Sequence, residues 1–458
     1  MIITQLVTLF ADWRMVFAQA RTHRLAVQMA FAVLCMLGRN TVSQRIVLLR
    51  RLHEDWTKFY RLFSKRSWEV HDLFAVVLQN VQQWCPGRYL VMAGDDTLTH
   101  KTGRLVHNVG YLRDPLSPKF RHNLVLGLRY IQLSVLVPLY RLFPDEAVSA
   151  VALPVRFALA PVIRKPKSRR KPMTPAEEEA FKQVKAANTL SHYMADHITE
   201  LRKWMDTHGL QAKRLLLVVD NGYCNKIVFA AIKRGIQLLA RMKKTSRLYL
   251  PGQEAGAGFT PEDTRKDAQI PWRKCPAYLG RTELMIQYKE VARVVWPTVA
   301  GKRELRLIVI RAIPYKRRKN ANISYRQPGY LITTDLTAST QFLIQSYLDR
   351  WQIEVNHREE KTVIGVGQAQ VRTEKSVTRE PALAVAAYSM MKLAALQTFG
   401  TCRPADCVEM PAWYDGASRA SCEDLLQKLR REACEMPELL TPYGVSITPE
   451  GLIAATRA

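Results

Sequence analysis

Apolar residues recur at helical spacing from Leu25 to Leu37, with Gly38 placed to cap the end. Thr41-Val-Ser-Gln44 then reads as a capping box that opens a second helix through Arg45, Ile46, Leu48, Leu49, Arg50 and Arg51. Helix, tight turn and basic helix fit a helix-turn-helix and a plain helical hairpin equally well. The helical texture lasts to the breaker Trp84-Cys-Pro-Gly87. Arg88 to Gly94 follows as a strand that ends at Asp95-Asp96, Lys101-Thr-Gly-Arg104 as a turn, and Asn123 to Val137 as strand-like stretches. Arg164 to Lys171 carries six basic residues in eight and reads as a solvated linker. Next the pattern predicts a long helix over 175–207 and a buried strand from Arg214 to Val219 that ends in Asp220. A helix from Asn225 to Arg234 and a strand from Ile236 to Arg241 complete a βαβ unit, which makes the centre α/β. From about residue 245 to 330, Glu283–Tyr288, Val291–Trp296 and Glu304–Ile313 predict a β-rich segment. A 3.6-residue period returns in one long helix from Ser339 to Thr362, and residues 380–398 and 420–434 predict further helices.

The 458 residues suggest about three domains. With 48% apolar and 24% charged residues the chain can bury a core, which excludes wholesale disorder. Its longest apolar run, Ala26 to Leu37, is interrupted by Gln28 and falls short of the ~20 residues of a membrane span. The start MIITQLVTLFADWR has no basic n-region, so no secretory signal is expected. Eight cysteines stand without a CxxC, which argues against a zinc ribbon or a disulfide scaffold and fits a reduced, cytoplasmic compartment. The net charge of +28 calls for a polyanionic partner. Nucleic acid is the first candidate, because neutralising phosphates releases counterions. An anionic membrane surface fits less well, since no basic amphipathic helix with an aromatic face is visible.

In so basic a chain, carboxylates at strand ends need a reason. Asp95 and Asp220 both stand where an apolar strand run stops, the place where α/β sheets bind ligands. Brought together they would repel, unless a cation such as Mg²⁺ lay between them. Two such ions about 4 Å apart can stabilise both oxygens of a phosphoryl displacement. Read singly, each Asp is more readily a turn or helix N-cap residue than a metal ligand. On the helix from 339 to 362, Tyr347, Arg350, Glu354 and Lys361 share one stripe: at about 100° per residue, the last three fall near −60°, −20° and −40° from the first. Glu359 and Glu360 fall off that stripe. His192 and His197 lack metal-ligand spacing, Cys402 and Cys407 have no matching pair, and there is no GxxxxGK[ST].

Tyr347-x2-Arg350-x3-Glu354-x6-Lys361 resembles the signature of insertion-sequence DDE transposases of the Tyr–Arg–Glu–Lys subclass. GDDTLTHKTGR at 94–104 resembles their first-Asp region, and VVDNGYCNK at 218–226 their second. The resemblance implies a ribonuclease-H-like catalytic core at 86–375 with a β-rich insertion at about 245–330. An all-α DNA-binding domain at 1–85 would precede it and a helical region at 376–458 would follow. It implies Asp95, Asp220 and Glu354 as ligands of two Mg²⁺ ions, with Mn²⁺ as the alternative, and Tyr347, Arg350 and Lys361 as contacts to the transposon-end backbone. Asp95 is preferred over Asp96, since neighbours on a strand face opposite ways. Gln44, Arg45, Arg50 and Arg51 are the candidates for reading base edges in double-stranded DNA. The implied activity is metal-dependent cleavage and strand transfer by a homodimer on DNA, in the nucleoid, without a membrane. Two other readings stay open: an inactive DNA-binding descendant, and a nuclease of the same fold without strand transfer.

Overall fold

The apolar runs around Leu90–Ala93 and Leu215–Val219 lie side by side as parallel strands β1 (Tyr89–His100) and β5 (Arg214–Val219), in register from Tyr89↔Arg214 to Ala93↔Val218. Before β1 come α1 (Ile2–Asp12), α2 (Ala20–Cys35), α3 (Val42–Leu48), α4 (Thr57–Ser64) and α5 (Val70–Val81). Between β1 and β5 lie β2 (Gly110–Arg113), β3 (Leu124–Tyr140), β4 (Ala147–Ala160), α6 (Pro175–Ala187) and α7 (Leu190–Thr207). This computed structural model describes residues 1–114, 123–140, 147–165, 173–254, 256–279, 282–316, 322–401 and 420–456.

After β5 the chain forms α8 (Lys226–Ala231), β6 (Ile236–Arg241), α9 (Pro261–Lys266), β7 (Arg273–Leu279), β8 (Thr282–Trp296), α10 (Pro297–Ala300) and β9 (Gly301–Ile310). A small hairpin of β10 (Pro314–Lys316) and β11 (Ile323–Tyr325) precedes β12 (Gly329–Thr333). The chain ends in α11 (Thr340–Asp349), α12 (Trp351–Thr362), α13 (Glu374–Phe399), α14 (Cys422–Glu435) and α15 (Pro449–Ala454). One ten-stranded mixed sheet runs β2-β3-β1-β5-β6-β12-β9-β8-β7, with β4 also on β3. The β-rich segment is therefore continuous with the central sheet, because β12 pairs with both β6 and β9.

Several elements differ from the sequence pattern. β1 does not stop at Asp95-Asp96 but runs to His100, because β3 continues to pair with it antiparallel, Asp95 opposite Gln132 and Asp96 opposite Ile131. The helix expected over 175–207 is two, parted at Asn188–Thr189, and the one over 339–362 is two, meeting at Arg350. β4, apolar nearly throughout, adds a strand beyond those the sequence pattern predicts. The basic run from 166 to 171, and Cys402 and Cys407, lie outside the described residues.

Alternate residues of β1 and β5 serve two cores. Leu90, Met92, Leu215, Leu217 and Val219 join the larger one. Leu216 and Val218 pack with Leu343 and Ile344 of α11, while Ala93 packs with Ile353 of α12. α11 and α12 thus cover one face. On the other side α13 packs against α1, α2, α4, α5 and β4. By length and composition α13 could cross a membrane, but most of its apolar window is buried inside this fold. The N-terminal helices and the C-terminal helices share that core: the Ile3 N–H donates to Glu432 Oε2 at 2.9 Å, and Gln28 Nε2 donates to Tyr443 O at 2.8 Å.

This packing corrects the reading of α3 as a probing helix. Thr41 does cap it, accepting from Gln44 N at 3.2 Å. The helix has only seven residues, and Val42, Gln44, Arg45, Ile46 and Leu48 are buried. Arg45 lies at 1% exposure against Glu380, also 1% exposed, with Nη2 2.6 Å from Oε1. Its Nε donates to Asn40 Oδ1 at 2.6 Å. Arg45 and Gln44 therefore cannot reach a groove. Arg50 and Arg51 lie beyond the helix end: Arg50 is exposed at φ 55°, and Arg51 pairs with Glu54 and Gly444 O. A buried pair broken on one side leaves an uncompensated charge, so Arg45→Ala should cost about 3–5 kcal/mol in a denaturant melt. Arg50→Ala should leave the midpoint unchanged; equal losses would mean that the Arg45–Glu380 pair carries no special weight.

Candidate active site

The register that joins β1 and β5 decides where their acids lie. Val91 and Ala93 share a face with Leu216 and Val218, and the pleat repeats every two residues. Asp95, two beyond Ala93, and Asp220, two beyond Val218, follow on that face, which α11 and α12 cover. Asp220 has left the strand in an extended conformation, φ −82° and ψ −174°, and its carboxylate caps the turn Asn221–Tyr223, accepting from Gly222 N at 2.8 Å. The cap role and the position at the strand end hold together.

α12 brings the third acid. Ile353 is packed on Ala93, Leu136, Ala150 and Ala152, which sets Glu354 over the end of β1. Arg350, at the junction of α11 and α12, joins the two sides: its Nη1 is 3.6 Å from Asp95 Oδ2 and 3.6 Å from Glu354 Oε1. The Arg350 and Asp95 side chains are 11% and 17% exposed. Nε and Nη1 of Arg350 are buried without a hydrogen-bond partner, so the contact is electrostatic. Its guanidinium also lies 5.9 Å from the centre of the Tyr347 ring. Asp96 faces the other way, accepting from Tyr223 Oη at 2.7 Å and lying 3.4 Å from Arg129 Nη1. Asp95, not Asp96, shares a cation with Glu354.

The electrostatics follow from burial. Desolvation pushes the Asp95 carboxyl up to about 7, Asp96 and Glu354 add repulsion, and His357 opposes it. Burial also raises the Tyr347 phenol, with Asp220 adding to it while Arg350 and Arg241 oppose. Lys361 is lowered by burial against the pull of Glu360, Asp96 and Glu354. The structure thus gathers Asp95, Asp220, Tyr347, Arg350, Glu354 and Lys361 at one end of the sheet. Gln44, Arg45, Arg50 and Arg51 are not part of that group. His192 bonds Thr189, while His197 faces Glu200, so that pair builds no common site.

The inner face of α12 carries a second set of polar residues, off the Tyr347–Lys361 stripe. Ile353, Asn356, His357 and Glu360 are its buried residues, spaced as a helical core stripe yet mostly polar. Asn356 accepts from Lys392 Nζ at 2.8 Å and Tyr388 Oη at 3.1 Å. Glu359 pairs with Lys392 at 3.2 Å, and Glu360 accepts from Gln132 Nε2 at 2.9 Å. Polar residues at core spacing are the signal that would have found this network.

Oxygen-only ligands of this kind suit a hard divalent cation. An arginine already lying between two acids shows that the place accepts positive charge. Among the described residues, no three His, Cys, Asp or Glu side chains close around one point. A cavity of about 700 Å³ lies at the opposite end of β5 and β6 against Lys213, Lys233 and Arg234. It shares no residue with the acids.

A family model described as DDE superfamily endonuclease matches residues 14–302, more than half of the chain. The match takes in Asp95 and Asp220 and stops before the Tyr347–Lys361 stripe. No curated protein matches the chain.

Asp95 holds its proton to about pH 7 in the folded chain but only to about 4 when unfolded. The folded state therefore loses stability as pH rises from about 4 to 7, and the loss is complete above that. Asp95→Asn has no charge to bury. Relative to the metal-free wild type, it should gain on the order of 2 kcal/mol between pH 4.5 and pH 8 in urea melts. A difference that does not change with pH would show that Asp95 is not held up by burial.

Proposed function

This chain belongs to the DDE superfamily endonucleases, and we propose that it is a cut-and-paste DNA transposase of the Tyr–Arg–Glu–Lys subclass. Membership implies DNA as substrate, and enzymes of this kind generally use divalent metals. The finer reading rests chiefly on one observation: Asp95 and Glu354 meet a single guanidinium at the sheet end where Asp220 also emerges. Asp95, Asp220 and Glu354 would hold two Mg²⁺ ions, or Mn²⁺ in their place. When bound, the metal supplies the Lewis acidity that activates water and stabilises an in-line phosphoryl displacement.

The chain's own residues then position the DNA. Arg350 and Lys361, spaced along one helical face, grip phosphates of the cleaved end. Burial keeps the proton on the half-buried Tyr347 phenol, which would offer it as a hydrogen bond to the same DNA end. Phosphate contacts fix register without reading sequence, so recognition of the terminal inverted repeats falls to other surfaces, with the helices of 1–85 and the exposed Arg50 as candidates. The catalytic segment would be 86–375 and the C-terminal helical region 376–458. Two ends must be cut and joined to target DNA together, so the working form is a homodimer on DNA in the cytoplasmic nucleoid.

On a plasmid carrying the element's terminal repeats, Asp220→Ala and Glu354→Ala should abolish metal-dependent nicking while end binding in a gel shift stays near wild type. Most of the affinity comes from the basic surface, which both variants keep. Lys361→Ala should slow cleavage at least tenfold and lower the salt slope of binding by about 1 at most. Nicking at wild-type rate by either acid variant ends the DDE assignment of that residue. Nicking without joined target products leaves a nuclease without strand transfer; binding without any nicking leaves an inactive DNA-binding protein.

A further inference from the structure

The cavity of about 700 Å³ at the far end of the sheet is lined by cations. β5 and β6 pair in parallel, Leu215 opposite Ile236, so their amino ends start side by side. Each start brings two adjacent basic residues to the cavity, Lys213 and Arg214 at β5, Lys233 and Arg234 ahead of β6. Asp206 is the one acid in the lining, and it already accepts from Arg202 Nη2 at 2.5 Å.

The two pairs differ in how they are held. Lys213 Nζ donates to Cys85 O, and to Gly87 O at 3.1 Å, while Arg202 Nη1 donates to Lys213 O at 2.7 Å. Arg214 Nη1 donates to Thr337 Oγ1 at 3.3 Å and lies 3.9 Å from Asp335, which already accepts from Tyr89 Oη at 2.6 Å. Lys233 and Arg234 are exposed, and among the described residues no carboxylate pairs with either. A cleft lined by one sign of charge focuses its field and gathers counter-ions.

The lining also says which anion. It has no aromatic side chain and no apolar one larger than Ala212, so nothing in it would stack a base or enclose a lipid chain. Phosphate alone is recognised, and four cations spread over two strand starts suit a run of phosphates better than one compact anion. The six residues of β5 rise about 20 Å between this end and Asp220, so the cleft and the acids cannot touch the same phosphate.

We propose that the cleft is a second DNA contact, which holds the phosphate backbone of a duplex about 20 Å away from the bond being cut. This rests on DNA as the partner of the chain, not on the assignment of the metal ligands.

The test is lysine footprinting of the full chain: acetylation by acetic anhydride, read by peptide mass spectrometry, with and without a saturating duplex of arbitrary sequence. The duplex should lower labelling of Lys233 about fivefold or more, while Lys182 and Lys266, exposed lysines that pair with Glu179 and Glu262, change less than about twofold. Tripolyphosphate at the same phosphate concentration should leave Lys233 labelled. Lys233→Ala combined with Arg234→Ala, both exposed positions, should reduce the slope of log K against log salt by about 2. Equal labelling of Lys233 with and without bound duplex overturns the proposal. So does protection no greater than that of Lys182 and Lys266, which would be DNA coating the surface at large, or protection by tripolyphosphate without protection by DNA. If the chain binds no duplex at all, DNA as its partner falls first and this contact falls with it.

Discussion

Carboxylates gathered at the end of a buried strand pair repel one another unless positive charge lies between them. Here that charge is the Arg350 guanidinium, 3.6 Å from both Asp95 and Glu354. Its placement depends on the junction of two helices: α11 ends at Asp349, α12 begins at Trp351, and Arg350 caps both. The same arginine in mid-helix on a surface would serve as a solvated cation. At this junction its side chain is nearly buried, and two of its nitrogens find no hydrogen bond. Such an arrangement is held by charge rather than by directed bonds.

The rest of the fold keeps this end of the sheet in place. The parallel centre of the sheet, β1, β5 and β6, needs apolar cover on both faces. α11 and α12 supply one cover through Leu343, Ile344 and Ile353. The other is a helical layer built from both ends of the chain around α13. The fully buried Arg45–Glu380 pair ties α3 to α13, and Arg379 reaches Arg66 O and Trp68 O at 2.6 Å each. α12 is fastened at its inner face by polar bonds to Gln132, Tyr388 and Lys392. A helix with one buried apolar residue is held in position by these polar bonds.

Much of the candidate site's placement is legible in the sequence because it depends on two periods. The two-residue pleat carries Asp95 and Asp220 to one face, and the 3.6-residue helix lines up Tyr347, Arg350, Glu354 and Lys361. Other features were hidden for physical reasons. Nothing local marks the break at Arg350, whose backbone stays in the helical region at φ −49° and ψ −31°. The length of β1 depends on a distant partner, β3. Arg45 was read as a DNA contact because basic residues are usually exposed; its partner Glu380 is 335 positions away and cannot be inferred from local pattern. Glu359 and Glu360 were set aside as lying off the stripe, yet they bond inward because α12 is covered by α13 as well as by the sheet.

The central claim is that Asp95, Asp220 and Glu354 together form a divalent-cation site. Iron-mediated backbone cleavage tests it most directly, since Fe²⁺ can occupy an oxygen-ligand site and, with peroxide and ascorbate, generates radicals that cut the polypeptide close to the ion. The account predicts three families of fragments, ending near residues 95, 220 and 354, each suppressed by excess Mg²⁺. Cuts confined to other regions, or cuts at only one of the three positions, would contradict it.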